Sequence, residues 1–485
     1  MTEWLNEGTQ LIDFEIYKGV GGFATVFEGT LRDGVKVAVK RIVVGDAATN
    51  EQEEKALKML NHPNVIKLFH VEEDLDFKMF ALELCDASLD QLFLKEKDPK
   101  KYSGPMPPQI EVLLQLAKGL EYIHQMGLVH RDIKPHNVLI RLDSTTQRVV
   151  MKWADFGLSK KVNERGTFTM SGVRGTHDYF APEILKLLDD DQIATDNEDK
   201  KRGTVQSDVF AEGLVFGYFL SRGVHPFGTT SHQIQNNLRT NEPANLPSKS
   251  SESLLQKLSG IETTNIQNTI TRMLEKDPNN RITSSDVVNR LTEIILKNSQ
   301  QLFTLIAKGN PIVEEIEKLI QEGLDVNAKD EKGLTPLLHL VKSEKISENL
   351  VKIFILLIQH GANVNSLDSN GENALLLWCK NREQYQNKSF LTILNLFVKN
   401  GIDINCKDKY ENNVLILLCR SYRIGNLIDI IRLLIKNGID VNGKNIYRNN
   451  ALTILGFKVT KETRDYFQRN YEEKNRDEIL QLLHV

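Results

Sequence analysis

The chain has 485 residues, about three average domains' worth. It is 40% apolar and 26% charged, a globular composition that excludes a chain dominated by disorder. Its 61 basic and 65 acidic residues leave a net charge of −4, which argues against a polycation working on nucleic acid or on a membrane surface. The four cysteines, Cys85, Cys379, Cys406 and Cys419, make no CxxC pair. Free thiols in a reducing compartment are therefore expected, not disulfides or a zinc site. The opening residues, MTEWLNEGTQLIDF, lack the basic start and apolar stretch of a secretory signal. Apolar runs such as Ile353–Ile358 and Val414–Cys419 fall far short of the roughly 18 residues that mark a membrane helix. The expectation is a soluble, cytoplasmic protein.

Residues 12–110 mix short β-branched runs with glycine turns. Gly19-Val20-Gly21-Gly22-Phe23-Ala24-Thr25-Val26 lies between two strand patterns. Small residues let the backbone approach a polyphosphate and cradle its oxygens with N–H groups, although an ordinary hairpin turn is the plainer alternative. Lys36–Val44 reads as a strand and carries Val37-Ala38-Val39-Lys40. The next segment, Glu51–Leu60, has helical spacing, and its Glu53 or the neighbouring Glu54 can pair with Lys40 against the α- and β-phosphates. Lys78–Cys85 reads again as a strand.

From about 110 to 298 helical patterns dominate, with Gln109–Met126 and Val287–Lys297 the clearest. Between them lies His130-Arg131-Asp132-Ile133-Lys134-Pro135-His136-Asn137. Phosphoryl transfer to a hydroxyl needs a carboxylate to accept the proton and a cation near the migrating group. It also needs hard oxygen ligands for magnesium. Asp132, Lys134 and Asn137 supply these on one loop, and Asp155-Phe156-Gly157 adds a second carboxylate. Further on come Ala181-Pro182-Glu183, Asp208 in SDVFAEG and Arg281 in PNNRIT.

In this order, over about residues 14–297, the motifs resemble those of the eukaryotic protein kinases. The resemblance implies a two-lobed α+β protein kinase fold for residues 12–298, with ATP and Mg as cofactors. By the same resemblance Lys40 binds phosphate and pairs with Glu53, which lies ten residues before Pro63. Asp132 is the catalytic base, Lys134 stabilises the transferring group, and Asn137 and Asp155 hold magnesium. Gly19, Val20, Gly21, Gly22, Phe23 and Ala24 form the phosphate loop. Leu82 falls at the gatekeeper position, the backbones of Glu83 and Cys85 bond the adenine, and Val26, Ala38 and Leu139 sandwich it. Glu183 and Arg281 form a structural ion pair, and Asp208 anchors the catalytic loop. His130 is a structural residue stacked with Phe156, Leu57 and Leu68. Lys134 together with Gly175-Thr176 resembles the serine/threonine class. Arg131 implies control by activation-loop phosphorylation, with Thr167, Thr169 and Ser171 as acceptors and Thr176 closing the same loop.

ALELCDASLDQLF (81–93), HRDIKPHNVLI (130–140), DFGLSKK (155–161) and GVHPFG (223–228) resemble the inositol-requiring kinase/endoribonuclease family of stress sensors. Its members self-associate, so a homodimer is among the states this implies. Neither its lumenal sensing nor its RNA cleavage is expected here. Two features depart from the kinase pattern. Ala24 replaces the third glycine of the phosphate loop, and an insertion, Lys186–Thr204, lengthens the segment after Glu183. A pseudokinase scaffold is the alternative to an active enzyme.

Residues 299–485 repeat. GLDVNAKDEKGLTPLL, GANVNSLDSNGENALL, GIDINCKDKYENNVLI and GIDVNGKNIYRNNALT begin at Gly323, Gly361, Gly401 and Gly438, each after an apolar helix. A helical pair plus a turn at this period resembles the ankyrin family, whose period of about 33 is shorter. Glu478–Leu483 is read as the start of a capping helix. The resemblance implies an all-α ankyrin-repeat solenoid over 299–485. The expected partners are a protein substrate for the first domain and a protein bound by the repeats, with neither nucleic acid nor membrane.

Overall fold

Apolar residues at every second position make the first part of the chain a sheet. Strands β1 (Leu11–Val20), β2 (Thr25–Leu31), β3 (Lys36–Val43), β4 (Leu68–Glu73) and β5 (Phe77–Glu83) pair antiparallel in the order β1-β2-β3-β5-β4. Phe27, Leu31, Val37, Val39, Met79 and Ala81 form its buried apolar cluster. The computed structural model describes residues 11–20, 25–43, 47–143, 148–163, 167–169, 176–189, 202–245, 261–307, 312–321, 324–342, 348–380, 390–420 and 427–454. Helix α1 (Ala47–Met59) connects β3 to β4. It and the residue after it bury Glu53, Ala56, Leu57 and Leu60, the spacing of one helical face.

The rest of this part is mainly helical. Helix α2 (Gln109–Gln125) buries Ile110, Leu113, Ala117 and Leu120 beside a hairpin of Val138–Leu142 with Val149–Trp153. Gly119 lets the two approach. A β-carbon there would stand 2.7 Å from the Asn64 carbonyl oxygen and 2.8 Å from the Trp153 ring. Next come α3 (Pro182–Asp189), α4 (Val205–Leu220), α5 (Ser231–Thr240), α6 (Ile261–Met273) and α7 (Ser284–Ala307). Helix α4 is apolar nearly all round and buried along most of its length, as a central helix must be. The Arg281 guanidinium donates to Glu183 at 2.8 and 3.0 Å and to the carbonyls of Gln206 and Glu275, closing the loop after α6 onto the start of α3.

Within the inserted segment, α3 runs to Asp189 and Arg202–Thr204 pairs antiparallel with Thr167–Thr169. Residues 190–201 lie outside the described residues.

The chain divides into two compact units, Met1–Ile294 and Ile295–Val485, so the division falls inside α7. The described part of the second unit is all-helical. After α7 it contains α8 (Val313–Gln321), α9 (Pro336–Lys342), α10 (Glu348–Gln359), α11 (Ala374–Lys380), α12 (Phe390–Lys399), α13 (Val414–Arg420), α14 (Leu427–Lys436) and α15 (Ala451–Ile454). Leu, Ile and Phe from all of these except the short α15 share one core with Trp378 and Cys379, and α15 adds Ala451. The loops between the helices are joined by asparagines. Asn327, Asn365 and Asn405 donate through Nδ2 to the carbonyls of Gly361, Gly401 and Gly438 at 3.0, 2.9 and 3.0 Å. Their Oδ1 atoms accept from the N–H groups of Asn363, Asp403 and Asp440, each at 2.7 Å. The segment expected to begin a capping helix, Glu478–Leu483, lies outside the described residues.

Candidate active site

Lys40 stands on β3, in register with Val26 of β2 and Phe80 of β5. Its ammonium donates to Glu53 Oε1 at 2.6 Å and to Asp155 Oδ1 at 2.8 Å. Burial works against the lysine's charge, but the two carboxylates outweigh it and hold the group well above the ordinary lysine range. Burial raises the Glu53 carboxyl, with Lys40 opposing. At Asp155, burial acts the same way but Lys40 prevails and the carboxyl is lowered. Glu54, the neighbouring alternative, pairs instead with Lys58 and Lys78. Helical phase distinguishes the two, because Glu53 shares its face with Ala56, Leu57 and Leu60.

A second cluster lies on the loop after α2. Asp132 Oδ2 accepts from Lys134 Nζ at 2.6 Å and from Asn137 Nδ2 at 2.8 Å. Asn137 Nδ2 also donates to the Asp132 carbonyl at 2.7 Å, so the carboxamide closes the loop on itself. Lys134 Nζ reaches Thr176 Oγ1 at 3.1 Å, bringing the segment just before Ala181-Pro182-Glu183 to the same point. The loop contains a strained residue, Arg131, with φ at +71°. Asp208, buried on α4, supports it by accepting from the N–H groups of His130 at 2.7 Å and Arg131 at 3.0 Å. Its carboxyl is lowered: burial opposes, but His124 and the other hydrogen bonds to it prevail. His130 is fully buried, with its ring 4.8 Å from that of Phe156 and Nε2 3.1 Å from the Ala154 carbonyl. It has no access to a substrate proton.

Gly19 and Val20 end β1, paired with Val26 and Thr25 across the glycine-rich turn. Gly21, Gly22, Phe23 and Ala24 lie outside the described residues. Val26, Ala38, Leu82 and Leu139 are half-buried, and Ala38 pairs directly with Leu82. The Glu83 N–H is committed to the Lys67 carbonyl at 2.9 Å, and the Glu83 carbonyl accepts from the Cys85 thiol at 3.9 Å. The Cys85 thiol is pushed up to about 12, by burial first and then by the Glu83 carboxylate, so it is a poor nucleophile near neutral pH. Thr167 and Thr169 lie on the strand that pairs with Arg202–Thr204, while Ser171 lies outside the described residues.

Sequence reasoning missed the side chain at the end of β5. The Glu83 carboxylate turns inward between Lys152 at 2.8 Å and Arg141 at 2.5 Å. Lys152 Nζ also donates to the Pro63 carbonyl at 2.6 Å. A lysine in VVMKW, just before Asp155-Phe156-Gly157, was the available signal, since a buried strand seldom carries an unpaired cation. Glu212 was missed as well. It is fully buried on α4, one turn after Asp208, and neither carboxyl oxygen has a hydrogen-bond partner among the described residues.

The profile of the protein kinase domain family matches residues 16–291. The human Serine/threonine-protein kinase/endoribonuclease IRE2 is 38% identical over 231 residues, 47% of this chain and 23% of that protein. Serine/threonine-protein kinase/endoribonuclease ire-1 of Caenorhabditis elegans is 32% identical over 270 residues, 54% of this chain and 25% of that protein. The Serine/threonine-protein kinase RAD53 of Saccharomyces cerevisiae is 28% identical over 277 residues, 56% of this chain and 31% of its own length. The chain spans about a quarter of the length of the first two relatives.

Proposed function

This chain belongs to the protein kinase family, and on that premise we propose that it is a Mg-ATP-dependent serine/threonine kinase whose second unit is an ankyrin-repeat solenoid that recruits a protein partner. The observation that carries the catalytic reading is the pair of clusters on β3, α1 and the two loops. Lys40 is held by Glu53 and Asp155, and Asp132 is held by Lys134 and Asn137.

Each residue has a task that follows from its contacts. Both side-chain bonds to Asp132 fall on Oδ2, so Oδ1 is the oxygen to orient the substrate hydroxyl and take its proton. Lys134 places a positive charge beside that oxygen, where the phosphoryl group arrives. Lys40, fixed by two carboxylates, presents its ammonium to the α- and β-phosphates with little freedom left to lose. Asn137 and Asp155 offer a carboxamide and a carboxylate oxygen. That hard donor pair fits magnesium, which takes one or two protein ligands and completes its shell from water and phosphate. When bound, the metal would neutralise phosphate charge. The serine/threonine class is supported by Lys134 with Gly175-Thr176, where the side chains of Lys134 and Thr176 are hydrogen-bonded at 3.1 Å, and by the serine/threonine kinases among the relatives.

The asparagine ladder, recurring at spacings of 38 and 40 residues, supports the solenoid reading. RNA cleavage is not part of the proposal. Purified full-length protein incubated with radiolabelled Mg-ATP should label itself or a general protein substrate. Asp132→Asn should lower the rate by at least about a hundredfold. Undiminished labelling by that variant, prepared free of other kinases, would refute the assignment of the base.

A further inference from the structure

The five-stranded sheet turns two lysines toward α1. In β5, Met79 and Ala81 belong to the buried apolar cluster on one face, so Lys78, Phe80 and Leu82 point to the other. Lys40 is in register with Phe80, and Ile42 with Lys78. Lys40 and Lys78 therefore share the second face, diagonal to each other on adjacent strands. Each meets one of two consecutive glutamates of α1: Lys40 pairs with Glu53 at 2.6 Å and Lys78 with Glu54 at 2.5 Å.

The outer pair is a buried one. Lys78 is 7% exposed, and its other partner is Glu73 at 3.0 Å, the residue opposite it on β4. Burial works against the lysine's charge, but the two carboxylates prevail and raise the group above the ordinary lysine range. The Glu54 carboxyl is lowered, by Lys58 one turn on and then by Lys78.

Apolar packing holds only the far half of α1. Ala56 and Leu57 are buried there, with Leu60 just after the helix. In the stretch before them Glu51, Gln52 and Lys55 are exposed, and only Glu53 and Glu54 are turned toward the protein. Consecutive helical residues stand about 100° apart around the axis. A single ion pair lets a helix roll about the contact, whereas two at that angle fix its rotation.

We propose that Lys78 and Glu54 are positioning residues for phosphoryl transfer, fixing the rotation of α1 so that Glu53 stays on Lys40. This assignment rests on the kinase reading above and concerns residues that touch no reacting atom. Loss of the outer pair frees the Lys40 ammonium to shift against the phosphates, which lowers the maximal rate more than the affinity for ATP. Glu73 supplies the comparison. It shares the same ammonium but belongs to the sheet, so it has no hold on α1.

The test follows transfer from Mg-ATP, over a range of concentrations, by the full-length protein to itself or to casein. Glu54→Gln keeps the shape of the side chain and leaves Lys78 its bond to Glu73, so no buried charge is stranded. It should lower the maximal rate about tenfold and change the half-saturating ATP concentration by less than about threefold. Lys78→Met should do the same, and the double variant should be no slower than either single one, because both remove one contact. Glu73→Gln and Lys58→Gln should stay within about twofold of the wild-type rate. Hydrogen exchange of the α1 amides should be faster in Glu54→Gln and unchanged in Glu73→Gln. A wild-type rate for Glu54→Gln would overturn the proposal. Equal losses from Glu54→Gln and Glu73→Gln would also overturn it, as the mark of a cluster that merely stabilises. A wild type that transfers no phosphate would refute the kinase reading and the catalytic role together. Exchange would then decide the hold on α1, which fails if Glu54→Gln matches the wild type.

Discussion

Replacing Glu212 should stabilise the protein, and by an amount that grows with pH. The residue is fully buried, and neither carboxyl oxygen has a hydrogen-bond partner among the described residues. Burial first, and then the Asp208 carboxylate one turn away, raises its carboxyl well above the ordinary range. The folded state therefore keeps a proton that the unfolded chain, titrating near the usual glutamate value of about 4.3, gives up. The contribution of this group is fully present below the unfolded-state value and is lost as pH rises, at about 1.4 kcal/mol per pH unit, until the folded carboxyl itself ionises. Glu212→Gln removes the titration and keeps a polar group of the same shape. Its stability should match the wild type at acid pH and exceed it progressively as pH rises. Glu212→Leu also removes the unpartnered oxygens, adding about 1–3 kcal/mol at every pH. In a unit of this size each kcal/mol corresponds to about 2–4 °C in melting temperature. Differential scanning calorimetry of the three full-length proteins at a series of pH values measures both effects. Parallel pH profiles for the wild type and the glutamine variant, or a lower melting temperature for the leucine variant, would refute the reasoning.

Two further outcomes follow from buried contacts. Lys152→Met removes the ammonium between Glu83 and the Pro63 carbonyl and leaves Arg141, a partly exposed partner, to hold the carboxylate alone. The loss should be about 3 kcal/mol, read as a lower urea midpoint for the first unit. Asn365→Ala breaks one rung of the ladder, with bonds of 2.9 and 2.7 Å to Gly401 and Asp403. It should cost about 1–2 kcal/mol in denaturant unfolding of the second unit.

What could be read in advance was chemistry carried by short stretches. Asp132, Lys134 and Asn137 span six positions, and in that space the covalent chain itself brings a carboxylate, an ammonium and a carboxamide together. The choice of Glu53 over Glu54 came from the resemblance, through its place ten residues before Pro63, and the structure adds that Glu53 shares a buried face with Ala56, Leu57 and Leu60. Glu83 was different. It was assigned through its backbone, yet its side chain makes the buried contacts, with partners 58 and 69 residues away. No local pattern reports such a pairing, because it depends on which strands and loops meet.

The sequence by itself determined the two regimes, the loop that gathers Asp132, Lys134 and Asn137, and the repeating turns, since each follows from composition, periodicity or contiguous motif. Tertiary structure decided which groups lose water and whom they meet when they do. It joins Lys40 to Asp155 across 115 positions and Asp208 to the amide of Arg131 across 77. It leaves the Glu212 carboxyl without a hydrogen-bond partner among the described residues. Desolvation and long-range contact are properties of the packed chain, and residues that look alike in one dimension acquire their charge state and partners only there.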